Sequence, residues 1–305
     1  MKKEKPLQLW IVGSAGIDDI RTRTEDRKNL LGGSVPYSTV AASYFVKPGA
    51  VAVVGSDFPA AFDVRWRRFG IDLDGLQREP GPTFRWACAY DDNMIERTTL
   101  DTQLGVFAAF KPHLPERYAA APFVLLGNIQ PELQLHVLKQ TKGAKFVALD
   151  TMNLWIATAL PALKRVMRKV DLITINDGEA RQLTGKWNLT ACADAIRKMG
   201  PRYVLIKKGE HGALLFSPKG IFIVPAYPVR TLADPTGAGD TYAGAMMGYL
   251  AKAGKVTERL MREALVHASA IASFGVEGFS IERFETLTLP AIRARVRELK
   301  KMMTV

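Results

Sequence analysis

The chain has 305 residues, 48% of them hydrophobic, with 42 Lys and Arg against 30 Asp and Glu and a formal charge of +12. That is apolar material for one large α/β core spanning 1–305, since no Pro/Gly/Ser-rich linker divides it. The positive excess favours anionic partners, but its densest run (Arg293, Arg295, Arg297, Lys300, Lys301) has the spacing of a solvated helix face without interleaved aromatics, which argues against nucleic acid. Cys88 and Cys192 lack metal-ligand spacing and read as buried apolar residues of a reducing compartment. With no membrane-length apolar run and no signal-peptide core, the expected location is the cytoplasm, away from any membrane.

Leu7–Val12 reads as a short apolar strand that ends at Gly13-Ser14 and is followed by the acidic pair Asp18-Asp19, read as loop. Gly32-Gly33-Ser34 precedes a helix over Pro36–Phe45, with Ser34 as the expected N-cap and Pro just inside. Ala50–Val54 is a buried strand, and Pro59–Phe69 a helix closed by Gly70. From Thr83 to Leu100 the aromatic run Phe84, Trp86, Tyr90, an Asp91-Asp92-Asn93 turn and Ile95–Leu100 predict a hairpin. Beyond it, strands at Phe123–Leu126, Phe146–Leu149, Leu172–Ile175 and Val204–Ile206 alternate with helices at Pro131–Gln140, Ile156–Met167 and Asp177–Leu183. A hairpin over Ala213–Val224 and three helices, about 240–252, 258–274 and 289–302, complete the chain. This alternation predicts a mostly parallel sheet covered on both faces. Ligands of such sheets bind at the carboxyl ends of the strands, which gives weight to Asp18, Asp150 with Asn153, and Asn176 with Glu179.

The segment richest in chemistry is Asp234-Pro235-Thr236-Gly237-Ala238-Gly239-Asp240-Thr241, opening an Ala- and Gly-rich helix. Its small residues leave backbone N–H groups converging on a helix N-terminus, an arrangement that binds phosphate. A carboxylate at an anion site is unhelpful for binding alone. Asp240 makes sense there as the acceptor of a proton from an attacking hydroxyl, while the amides hold the migrating charge. Alone, the glycines could equally form an ordinary turn and Asp240 a helix cap.

The whole string resembles the signature of the ribokinase-like (PfkB) carbohydrate kinases, and it is not a Walker P-loop because no Gly-Lys-Ser/Thr follows. Two further motifs stand in the family's order: the di-glycine Gly32-Gly33, and Asn176-Asp177-Gly178-Glu179 after a strand. The resemblance implies a three-layer α/β sandwich with a small β lid built from about 83–100 and part of 19–31. It implies transfer of the γ-phosphate of ATP to a hydroxymethyl group of a sugar or sugar-like metabolite, or of a nucleoside. A catalytically silent relative that only binds these ligands is the rival of another class.

By the same resemblance Asp240 is the base, and Gly237, Ala238 and Gly239 form the anion hole. Asp18, Gly32, Gly33 and Asn153 face the acceptor. Asn176, Lys207 or Lys208, Gly209 and Thr236 lie along ATP, and Glu179 helps hold Mg²⁺. A K⁺ site at the backbone carbonyls of Ala272–Gly278 and a homodimer through the lid are also family features. Two departures stand out. Tyr37 occupies the place where ribokinase carries an Asn, and the Asp18–Gly32 stretch is shorter, implying a reduced lid.

Overall fold

A computed structural model describes residues 7–304. The chain opens with β1 (Leu9–Val12), then β2 (Gly16–Arg21) and β3 (Asp26–Gly32), α1 (Ser34–Ser43), β4 (Gly49–Gly55), α2 (Ala60–Arg68) and β5 (Asp72–Glu79). β6 (Arg85–Tyr90) and β7 (Arg97–Gln103) follow, then α3 (Glu116–Ala119), β8 (Phe123–Leu126), α4 (Pro131–Leu138) and β9 (Phe146–Asp150). Next come α5 (Asn153–Thr158), α6 (Leu160–Met167), β10 (Leu172–Asn176), α7 (Asp177–Thr184), α8 (Leu189–Arg197) and β11 (Tyr203–Lys207). The hairpin β12 (Ala213–Ser217) and β13 (Gly220–Val224) leads to α9 (Ala238–Ala253), α10 (Glu258–Gly275), α11 (Glu282–Glu285) and α12 (Leu289–Met302).

Nine strands form the main sheet in the order β13-β12-β11-β10-β9-β8-β1-β4-β5, parallel from β11 to β5 with the β12–β13 hairpin added antiparallel. Side chains alternate across it. Leu9 and Ile11 join a core with α1, α9, α10 and α12, whereas Trp10 and Val12 join a second core with α3, α6, α7 and α8. Burial on both faces explains why these strands are continuous apolar runs, and it makes the expected three-layer α/β sandwich. No helix among the described residues is long and apolar enough to cross a membrane, and both cysteines are buried and free.

A second, four-stranded sheet in the order β3-β2-β6-β7 forms the lid. Asp18 and Asp19 therefore lie in a strand rather than a loop, because β2 pairs with β3 on one side and β6 on the other. Short as it is, the Asp18–Gly32 stretch supplies two of the four lid strands.

Other expectations need correction. Ser34 is not the cap of α1: Gly33, at φ 90°, takes that place, and Ser34 Oγ instead accepts the Ser14 N–H at 3.1 Å. The helix expected over Ile156–Met167 is two helices that break at Ala159 before Pro161, which cannot donate a backbone hydrogen bond. The edge strand β5 is polar and half exposed, and α8 is announced only by its cap, Asn188 Oδ1 accepting from Ala191 N–H at 3.1 Å.

Candidate active site

β10 and β11 end level with one another, and β9 ends two residues short of them. Thr174 pairs with Asp150, and Asn176 with Lys207, so four polar side chains line one stretch of the sheet's carboxyl edge. Asp150 is buried there, its Oδ1 accepting from Thr174 Oγ1 at 2.6 Å and from Lys207 Nζ at 3.1 Å. Burial alone would lower the lysine's pKa, but Asp150, Glu179 and Asp240 around it raise it, so it keeps its charge. Of the two candidate lysines it is Lys207 that faces the glycine loop. A Cβ added to Gly239 would lie 3.0 Å from its Nζ.

The loop itself is fastened at both ends. Asp234 Oδ1 accepts the Thr236 N–H at 2.8 Å, and Thr236 Oγ1 meets the Tyr90 hydroxyl of the lid at 3.0 Å. Gly237 then turns left-handed at φ 72° as the N-cap of α9, a conformation that costs other residues about 1 kcal/mol or more. Tyr37 leaves no room there either, since a Cβ on Gly237 would sit 2.4 Å from its ring. The Ala238 N–H turns back to Pro235 O at 3.2 Å, whereas the Gly237 and Gly239 amides meet no acceptor among the described residues. Of the three amides expected at the anion hole, the two glycines are the ones left open to a ligand.

Asp240 stands in the first turn of α9. Burial and the nearby Asp150 charge push its carboxyl up to about 7, against the pull of Lys207 and of Arg97 on β7. A group that titrates near neutrality, within one helical turn of free amides, can take a proton from an alcohol and later release it.

Asn176 and Glu179 form a capping box at the start of α7. Asn176 Oδ1 accepts the Glu179 N–H at 2.7 Å, and Glu179 Oε2 accepts the Asn176 N–H at 2.9 Å. The ordinary capping role is thus real, and it leaves Glu179 Oε1 without a hydrogen-bond partner among the described residues. Burial raises the Glu179 pKa, partly offset by Lys207.

On the lid side Asp18 is 2% exposed and accepts the Gly33 N–H, while its Oδ1 has no partner. Burial raises its pKa to about 8 despite that hydrogen bond, with Asp234 and Asp240 adding to the effect. A Cβ at Gly32 would fall 2.0 Å from this carboxyl, so the di-glycine is required by space on its first residue and by backbone conformation on its second.

Two expected residues make no hydrogen bond to this set among the described residues. Asn153 is exposed at the head of α5, its Oδ1 on the Leu154 N–H at 3.0 Å, and no hydrogen bond among the described residues joins it to Asp18 or Asp240. The chain turns into α5 at Asn153, and Asp150, at the end of β9, takes the buried place. Gly209, at φ 54°, shapes a turn after β11, with open space where a Cβ would point. Sequence reasoning passed over Asp234 and Thr174; the Asp-x-Thr spacing at 234–236 is the turn signal that could have found Asp234.

The model of the pfkB family carbohydrate kinases matches residues 19–281. A cytidine kinase of Thermococcus kodakarensis is 28% identical over 274 residues, covering 87% of this chain and 96% of that protein. A nucleoside kinase of Methanothermobacter thermautotrophicus is 34% identical over 263 residues, covering 84% of this chain and 81% of its own. The structure of a Burkholderia thailandensis nucleoside kinase in complex with inosine superposes with a TM-score of 0.78 at 17% identity over 95% of this chain and 96% of that one, a likeness of fold. The chain belongs to the pfkB family of carbohydrate kinases and is an ATP-dependent phosphotransferase.

Proposed function

We propose that the protein transfers the γ-phosphoryl group of ATP to the primary hydroxyl of a nucleoside. The observation that carries the chemistry is Asp240 in the first turn of α9, next to two free glycine amides, with Lys207 facing the same loop and the charges of Lys207 and Asp18 felt at the site. Nucleosides are favoured over free sugars because two relatives that span most of this chain are named for them. Trp86, with Arg97 over its ring at 5.5 Å, gives the lid an aromatic face suited to a base.

The acceptor's ribose lies against Gly32, Gly33 and Asp18, which orients one hydroxyl toward Asp240. Asp240 accepts its proton as the oxygen attacks, and the Gly237 and Gly239 amides with Lys207 hold the charge on the migrating group. Gly209 and Thr236 border the nucleotide. Glu179, through its free Oε1 and aligned by Asn176, is the side chain that fits Mg²⁺, which neutralises phosphate charge when bound. Support for K⁺ comes from Asp234 Oδ2, buried without a partner, although the adjacent Val276 carbonyl already accepts the Ala233 and Asp234 N–H groups. For a homodimer through the lid, the exposed free-edge strand β7 is the surface on offer.

The test is ATP consumption with Mg²⁺ and K⁺ across nucleosides, pentoses, hexoses, sugar acids and polyols. Turnover confined to nucleosides supports the proposal, and turnover of a free sugar in their place replaces the acceptor. Tight Mg·ATP binding without turnover of any compound would favour a silent relative.

A further inference from the structure

Tyr37 lies in the first turn of α1, 3% exposed, with its ring beneath the Gly237 turn. Its hydroxyl is buried and makes no hydrogen bond, as is true of Asp18 Oδ1. The charges of Asp234, then Asp18, Tyr90 and Asp240, all act on the phenol. Burial and these acidic neighbours hold the hydroxyl in its neutral form, so it can both donate and accept.

A phenylalanine would support Gly237 with the same ring and leave no orphan oxygen. A buried hydroxyl without a partner is unfavourable in the empty protein. Its presence beside a second orphan atom, between the lid and the anion loop, calls for a group that arrives with the ligand. Asp18 Oδ1 and the Tyr37 hydroxyl make no hydrogen bond to each other. One alcohol of the acceptor, donating to Asp18 and accepting from Tyr37, satisfies both.

We infer that Tyr37 is a specificity-determining residue, whose hydroxyl selects acceptors carrying a ring hydroxyl over their deoxy analogues. Through its ring it also ties acceptor binding to the turn that presents the Gly237 and Gly239 amides. This inference rests on the kinase reading of the site, and for the choice of acceptor on the nucleoside reading.

The test is Tyr37→Phe, compared with wild type on a ribonucleoside and on its 2′- and 3′-deoxy forms. If the wild-type enzyme turns over a free sugar instead, that sugar and its deoxy analogues take their place, so failure of the nucleoside reading is seen before the variant is made. The hydroxyl-to-deoxy preference in kcat/KM should fall about tenfold, the worth of one neutral hydrogen bond, through KM for the acceptor. The ligand-free variant should melt at the same temperature or higher, because it loses an unsatisfied group. An unchanged preference would overturn the inference, as would a lower melting temperature, which would mean the hydroxyl serves the fold.

Discussion

Replacing Asp18 by Asn should stabilise the ligand-free protein while disabling its acceptor site. Burial lifts the Asp18 carboxyl from 3.8 to about 8, against the Gly33 hydrogen bond. A raised acid pKa means that the folded chain holds this proton more tightly than the unfolded chain. The associated stability is fully present below the unfolded value and is lost as pH rises through about 8. Each unit is worth about 1.4 kcal/mol, so the loss is about 4 kcal/mol at pH 7 and about 2 kcal/mol at pH 5. Asn has the same shape, still accepts the Gly33 N–H and has no proton to lose. Relaxation and water entry around a buried charge recover about half of such a penalty. A chain of this length unfolds with an entropy of about 0.6 kcal/mol per kelvin, so Asp18→Asn should raise Tm by about 3 °C at pH 7 and about 1 °C at pH 5. Calorimetry of both proteins without ligand, at the two pH values, measures this. A lower Tm in the variant, or a gap that does not narrow with acid, would refute the reasoning.

The pH dependence of turnover tests Asp240 separately. With its carboxyl at about 7 in the free enzyme, kcat/KM for Mg·ATP should fall tenfold per unit below that pH. Asp150→Asn removes a charge that raises the Asp240 pKa and frees Lys207 to approach it, so the acid limb should move to lower pH; a shift upward would contradict the assignment. The two glycines should separate by fold and function. Gly237→Ala meets both a left-handed φ and the Tyr37 ring and should cost more than about 2 kcal/mol by denaturant unfolding. Gly239→Ala touches only the flexible end of Lys207, so it should fold normally yet lose about tenfold in kcat.

The Asp234–Thr241 string was legible because its chemistry is local: glycines that allow a turn, then a carboxylate in the first turn of a helix. The three-layer sandwich followed from strands apolar on both faces, as in β1 and β4. What stayed hidden depends on sheet register and on contacts between distant segments. Whether Lys207 or Lys208 enters the site is set by which strand-end residue pairs with Asn176, and the Asp150–Lys207 pair joins strands 57 residues apart in sequence. Asp18 was found as a residue but misplaced in a loop, because β2 is a strand only by virtue of β3 and β6 beside it. Asn153 was named on the acceptor side, whereas the structure turns into α5 at that residue and leaves it exposed, with Asp150 buried at the strand end.

The most direct test of the central claim, that Asp240 is the base of a phosphoryl transfer, is single-turnover kinetics of Asp240→Asn with Mg·ATP and the acceptor found in the panel. Mg·ATP should bind as in wild type, while the chemical step slows by about 10²–10⁴. A variant that transfers phosphate at the wild-type rate would show that the proton goes elsewhere.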